Sequence, residues 1–279
     1  MSEAKVLTIK SAFGYKFLKY FEIAKVNYYN SAAYLLNLLS RSATVILRIW
    51  IFAQLYKVTY AASGVSEIGG MTVAMIVWSL MMTQSFQSST RPPISQLIDE
   101  EVKTGALAYS INRPYSYIFF HMAGFFGRSL PNLFINLSVG LLAALILVGP
   151  LDFSFYGIVF GMTLLFFGYI LDFFINLIIG LLAFWVEDTS AFTWIYSKGQ
   201  MIFGGIILPI ALFPEYLQKI AEILPFSLMY YGAARIAVNF DFYLFQKFIF
   251  MQFVWIFIFG LLAIYLFNKG IKNVSINGG

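Results

Sequence analysis

From Phe155 to Phe184 the chain carries a single charged residue, Asp172, in a run dominated by Phe, Leu, Ile and Gly. A soluble domain could hide so long an apolar run only beneath a large polar shell. This chain has no such shell, because 60% of its 279 residues are hydrophobic and only 11% are charged, against about 25% charged in soluble domains. Its mean hydropathy of +0.79 makes the same point. Lipid as solvent removes the difficulty. A bilayer offers the backbone no hydrogen-bond partner, so each apolar run must close its own hydrogen bonds, which about 20 residues of helix do across the hydrocarbon. The expected fold is an all-α integral membrane protein. An aromatic content of 19% fits, since Trp and Tyr gather at membrane interfaces.

Apolar runs at 35–56, 69–86, 131–148, 155–184, 192–212 and 244–267 predict about six transmembrane helices and a transmembrane domain over 35–267. The run at 155–184 is longer than one span needs, so it tilts or projects beyond the lipid. The stretch 116–130 is apolar too, but His121 and Arg128 interrupt it. Residues 1–34 read as a cytoplasmic N-terminus with an amphipathic helix from Phe13 to Tyr34. Phe13, Phe17, Leu18, Phe21, Ile23 and Ala24 alternate there with Lys16, Lys19, Glu22 and Lys25 at helical spacing. Such a helix lies in the membrane interface or packs on the rest of the chain. Residues 1–25 lack the apolar core of a signal peptide, so insertion is expected to rely on the first span.

Between the last two spans, Phe213-Pro214 and Leu224-Pro225 bracket an amphipathic piece from Glu215 to Ile223, and a second piece runs to Val238. Proline at both places prevents one continuous helix. Short re-entrant helices at the outer side over 213–242 are the expectation, followed after the last span by a polar tail, 268–279. Charge then fixes orientation. Lys5, Lys10, Lys16, Lys19 and Lys25, then Arg91, Lys103 and Arg113, then Lys269 and Lys272 all fall on one side; the other side holds Lys57, Lys219 and Arg235. The positive-inside rule puts both termini and the loop 87–115 in the cytoplasm, with the chain in the cell membrane. The net charge of +5 is an orientation signal and not a nucleic-acid stripe, so the lipid bilayer is an expected partner and nucleic acid is not.

Much chemistry is excluded. There is no cysteine and one histidine, His121, so no thiolate or histidine metal cluster is expected. No phosphate loop, zinc-protease helix or nucleophile elbow occurs, and only Asp172 lies clearly inside a span. No catalytic residue, metal or cofactor of the chain's own is expected. The informative segment is the cytoplasmic loop. After Pro92-Pro93, Ile94, Leu97, Ile98 and Val102 share one helical face, Asp99, Glu100 and Glu101 lie opposite, and Gly105 stands at a C-cap position. So short a helix must dock its apolar face, either in a partner's groove or on the cytoplasmic ends of the spans.

The run from Ile98 to Pro114 resembles the signature I-x-x-E-x-x-x-G-x-L-x-x-x-L-x-R-P of ABC-2 type transporter permeases, through Ile98, Glu101, Gly105, Leu107, Arg113 and Pro114; Ile111 stands where Leu is usual. Gly205, Pro209, Phe213 and Pro214 are similar to the family's G-x-x-x-P-x-x-x-F-P segment, and Leu224-Pro225-Phe226 to its L-P-F motif. Within the family the chain looks closest to the branch that includes viologen exporters. The resemblance implies a half-transporter that pairs with a second permease subunit, identical or related, and engages a separate ATP-binding cassette ATPase, which holds ATP and Mg. It further implies that the segment bearing Ile94, Leu97, Ile98, Glu100, Glu101 and Gly105 is the coupling helix. A chain without a nucleotide motif would need such an external energy source. The alternative is a membrane scaffold or sensor with no transported substrate; a secondary transporter would have only Asp172 for proton coupling.

Charges inside the membrane are expensive and face a cavity or a partner. Arg41 and Arg48 share a face of the first span, and Arg41 can snorkel to the cytoplasmic surface. Arg48 lies deeper and is expected either to pair with Asp172 between helices or to line the translocation path with it. Arg128 and Lys198 fall near the cytoplasmic boundary, where headgroup contact is expected. Phe166, Phe167, Phe173 and Phe174 form a stripe that packs between helices, faces lipid or lines a path. Gly204-Gly205 before Pro209 permits close approach or a break in the fifth span.

Overall fold

The computed structural model describes the backbone of residues 3–277 and the side chains of 18–34, 36, 38–40 and 42–272. The described residues form helices and turns, with no strand. In chain order the helices are α1 (Glu3–Ala32), α2 (Leu35–Ser63), α3 (Val73–Ser89), α4 (Ile94–Lys103), α5 (Ala106–Ile111), α6 (Tyr117–Val148), α7 (Phe155–Leu181), α8 (Ser190–Phe203), α9 (Glu215–Ile223), α10 (Pro225–Met229), α11 (Tyr231–Val238) and α12 (Phe242–Asn277). Among the described residues, four segments are long and apolar enough to cross a membrane: Leu38–Ser63, Tyr117–Val148, Phe155–Phe184 and Phe242–Lys272.

Local chemistry sets the boundaries. Gly64, at φ +67°, ends α2 and donates its N–H to the Tyr60 carbonyl, and the Thr72 side chain caps α3 by accepting from the Met75 N–H. The third apolar segment is longer than the expected 131–148: α6 runs unbroken from Tyr117, with Pro131 inside it. His121 and Arg128 do not interrupt it because both face protein. His121 stands against Glu101 of α4, and Arg128 donates to Oδ1 of Asn27 on α1 at 3.3 Å, in place of a headgroup. The fifth segment is shorter than the expected 192–212. Helix α8 stops at Phe203, and Gly205 turns the chain at φ +66°, a left-handed conformation that favours glycine.

The piece expected to run as one helix to Val238 is divided at Tyr230 into α10 and α11. Helix α11 does not lie at a surface but packs between α3 and α7. Small residues make this possible. A Cβ on Gly157 or Gly161 would lie 3.0 Å and 2.9 Å from carbonyl oxygens of α11, so the two backbones touch. Helix α7 packs on α4, α10, α11 and α12, while α6 packs on α1, α2 and α3, with the α3–α11 contact joining the two groups. Phe13, Lys16 and Phe17 of the amphipathic segment, and Arg41 in α2, have side chains outside the described residues. Leu18, Phe21 and Val26 of α1 are exposed, while Lys19 donates to the Pro114 carbonyl at 2.9 Å.

Candidate functional site

Helix α4 starts at Pro93 and ends at Thr104-Gly105, where Gly105 has φ +74° and donates its N–H to the Val102 carbonyl. Its apolar edge is turned into its own chain: Ile94 and Ile98 are both 0% exposed. The seat is the end of α7, where a Cβ on Gly180 would lie 2.8 Å from Cβ of Ile98 and 3.1 Å from Cα of Ser95. Of the two docking sites that the sequence left open, these isoleucines take the end of a span of their own chain. They are unavailable to a partner's groove. Leu97 is half-buried at a cleft of about 320 Å³ that it shares with Glu100, Glu101, His121 and Arg128. Gln96, Glu100 and Gly105 are exposed.

Polar contacts lock the rest of this segment. Tyr117 donates its hydroxyl to Oε2 of Glu101 at 2.8 Å, and Nε2 of His121 stands 3.4 Å from the same oxygen, too poorly aligned for a hydrogen bond. Burial pushes the Glu101 carboxyl up, but His121, Tyr117 and Arg113 together outweigh it, so the net displacement is below the usual carboxylate range. Asp99 accepts from the Thr189 N–H and pairs with Lys103 at 2.6 Å; Lys103 also reaches Asp188 at 3.2 Å. Hydrogen bonds from the Ser190 hydroxyl and N–H, then the Lys103 ammonium, hold Asp188 down at about 2. Arg113 donates to the Tyr115 hydroxyl at 2.5 Å and lies over the Tyr109 ring at 4.4 Å. At the far end of the chain, Pro209 precedes a 3-10 turn at Ile210–Leu212, Pro214 is the N-cap of α9, and Pro225 opens α10.

A second polar assembly lies within the helices. Oδ1 of Asp172 accepts from the Tyr196 hydroxyl at 2.5 Å, Nδ2 of Asn176 at 3.0 Å and Nε2 of Gln200 at 3.2 Å. Arg91 donates to Oε1 of Gln200 at 3.2 Å and so closes the network toward the loop that bears α4. Among the described residues Asp172 makes no ion pair with Arg48, so of the two arrangements the sequence left open the direct pair is not formed. Neutral donors on α7 and α8 already surround the carboxylate. Arg48 instead lines a cavity of about 420 Å³ with Ser42, Gln87, Arg91, Asn132, Asn136 and Ser197 among others. Lys198 lies over the Trp194 ring at 5.3 Å, and Phe173 is fully buried between helices. The sequence did carry a signal for the missed residues. Asn132 and Asn136, Asp172 and Asn176, and Tyr196 and Gln200 are each polar pairs at i,i+4 in apolar helices, and each member is buried.

The chain matches the family model described as ABC-2 family transporter protein over residues 44–278. It belongs to that family. Among curated proteins no match is found. This ABC-2 chain is thus a multi-pass membrane permease of an ABC transporter, and its match takes in the loop bearing α4, the Asp172 network and, of the cavity lining, all but Leu38 and Ser42. Helix α1 precedes the matched region.

Proposed function

We propose that this chain is the membrane half of an exporter driven by a separate ATPase subunit, and that α4 is the element on which the ATPase pushes. The observation that carries this reading is the seat of α4. Its buried edge rests directly on the backbone of α7 at Gly180, and α7 packs on α10, α11 and α12. A force on α4 therefore enters the helix with the most neighbours among long spans, with no flexible link between. The exposed edge at Gln96 and Glu100 is what remains for the ATPase. Two such chains pair, with α3 and α8 completing six spans and both termini in the cytoplasm. ATP and Mg bind in the partner, whose closure rocks the paired halves and opens a path between them.

The test is co-purification from membranes with the ATP-binding subunit, followed by ATP-driven transport in vesicles. Glu100→Arg reverses charge on the exposed edge without touching the core. It should insert normally but lose most transport, with ATP hydrolysis freed from it or the ATPase lost from the complex. Wild-type assembly and transport in Glu100→Arg together with Gln96→Arg would remove α4 from the contact. Ile98→Asp is uninformative here, because a fully buried carboxylate disrupts the fold first.

A further inference from the structure

We infer that the cavity between α2, α3, α6 and α8 binds the charged group of an anionic amphiphile, held by Arg48 and Arg91. The inference rests on the permease reading and narrows its substrate class. The cavity, about 420 Å³, has two guanidinium groups in its wall, and none of the described residues lining it is acidic. Arg48 is exposed into it and has no hydrogen-bond or ion-pair partner among the described residues. An arginine in a spanning helix without a countercharge is costly, and the cost is relieved by an anion. Arg91 donates to Gln200, which leaves other N–H groups of its fork for a ligand. Oδ1 of Asn132 is buried in the same wall with no partner, an acceptor fit for a hydroxyl on that ligand.

Asp172 is not among the residues that line this cavity; its Oδ1 is held by Tyr196, Asn176 and Gln200, and its charge acts on Arg91, so Arg48 is the cation left without a countercharge. The volume suits a headgroup or a short polar end, with the tail left against apolar walls such as Leu38 and Ile135 or in lipid. The same chemistry has two sources, a resident anionic phospholipid or a transported anionic substrate.

The full-length chain in uncharged detergent is titrated with hexyl phosphate, hexyltrimethylammonium and hexanol, and thermal stabilisation is followed. Hexyl phosphate should stabilise the wild type and the other two should not. Arg48→Gln should weaken hexyl phosphate binding about tenfold or more, as expected for loss of a charge-assisted hydrogen bond. Arg48→Lys should recover part of it, and Arg91→Lys, which keeps charge but loses the fork, should weaken it less than Arg48→Gln. Equal response of wild type and Arg48→Gln, or stabilisation by hexyltrimethylammonium instead, overturns the proposal; the latter is what a cationic substrate requires.

Source is then separated in two arms, both of which presuppose the anion site. Anionic phospholipid that co-purifies with the wild type and is lost from Arg48→Gln marks a resident lipid. Acceleration of ATP hydrolysis by hexyl phosphate in the complex with the co-purified ATPase marks a transported substrate. Absence of any co-purifying ATPase would defeat the proposed coupling to a separate ATPase while leaving the binding result untouched.

Discussion

Gly180 shows how much one missing side chain can carry. Any Cβ there meets Cβ of Ile98 at 2.8 Å and the Ser95 backbone at 3.1 Å, so α4 can sit on α7 only if position 180 is bare. Gly180→Leu should lift α4 from its seat at an overpacking cost of about 1–3 kcal/mol. The measurable result is a lower melting temperature in detergent, together with loss of transport even if the ATPase is retained. Asp188 offers a second test at the same scale. Its carboxyl is held down at about 2 by Ser190 and Lys103. A depressed carboxylate stabilises the fold above its unfolded value of about 4, and that stabilisation fades as pH falls through the folded value. Asp188→Asn should therefore melt below wild type at neutral pH, and the gap should close as pH drops from about 4 toward 2. A gap that is constant with pH would show that the charge of Asp188 contributes nothing.

At the scale of elements, α1 and α6 meet as closely as α4 and α7. A Cβ on Gly127 would lie 2.2 Å from the Ala24 carbonyl oxygen, and Asn27 beside it accepts from Arg128. Gly127→Leu should therefore release α1, read as faster proteolysis of the segment before Ala32 with later helices unaffected. That helix was legible as amphipathic, but its seat on α6 was not. Arg128 looked like an interruption of an apolar run, when it is the residue that receives α1. The same misreading shortened α6 at Pro131, since proline and charge lower local hydropathy whether they face lipid or protein. Long spans such as Phe155–Phe184 were legible because the apolar run is long and only Asp172 interrupts it with a charge. The break after Phe203 was legible in Gly204-Gly205, which the structure turns into a left-handed corner. The partners of Asp172 were legible only as spacing: Asn176 follows Asp172 by four residues and Gln200 follows Tyr196 by four, which marks two polar pairs but not that they meet.

For the whole molecule, the number of crossings is decided by the sides of the loops and not by the termini. Four crossings and six both return the chain to its starting side. The four spanning-length segments leave α3 and α8 in question. Helix α3 has 17 residues, which gives about 26 Å against roughly 30 Å of hydrocarbon. Its low hydropathy comes from Ser79, Thr83, Gln84 and Ser85, all buried against protein, so lipid never meets them. Helix α8 has 14 residues, about 21 Å, and must be continued by the chain through Pro209. With the N-terminus in the cytoplasm, as proposed, crossing by both puts Glu100 in the cytoplasm and Ser154 outside; crossing by neither reverses the two and leaves Tyr216 outside either way. The sequence has no cysteine, so single substitutions Glu100→Cys, Ser154→Cys and Tyr216→Cys can be labelled with a membrane-impermeant maleimide against a blank background. Arg91, Lys103 and Arg113 flank Glu100 and favour the cytoplasm for that loop. Intact cells should label Ser154→Cys and Tyr216→Cys but spare Glu100→Cys until they are permeabilised. Labelling of Glu100→Cys from outside would leave α4 on the wrong side of the membrane for any ATPase to reach.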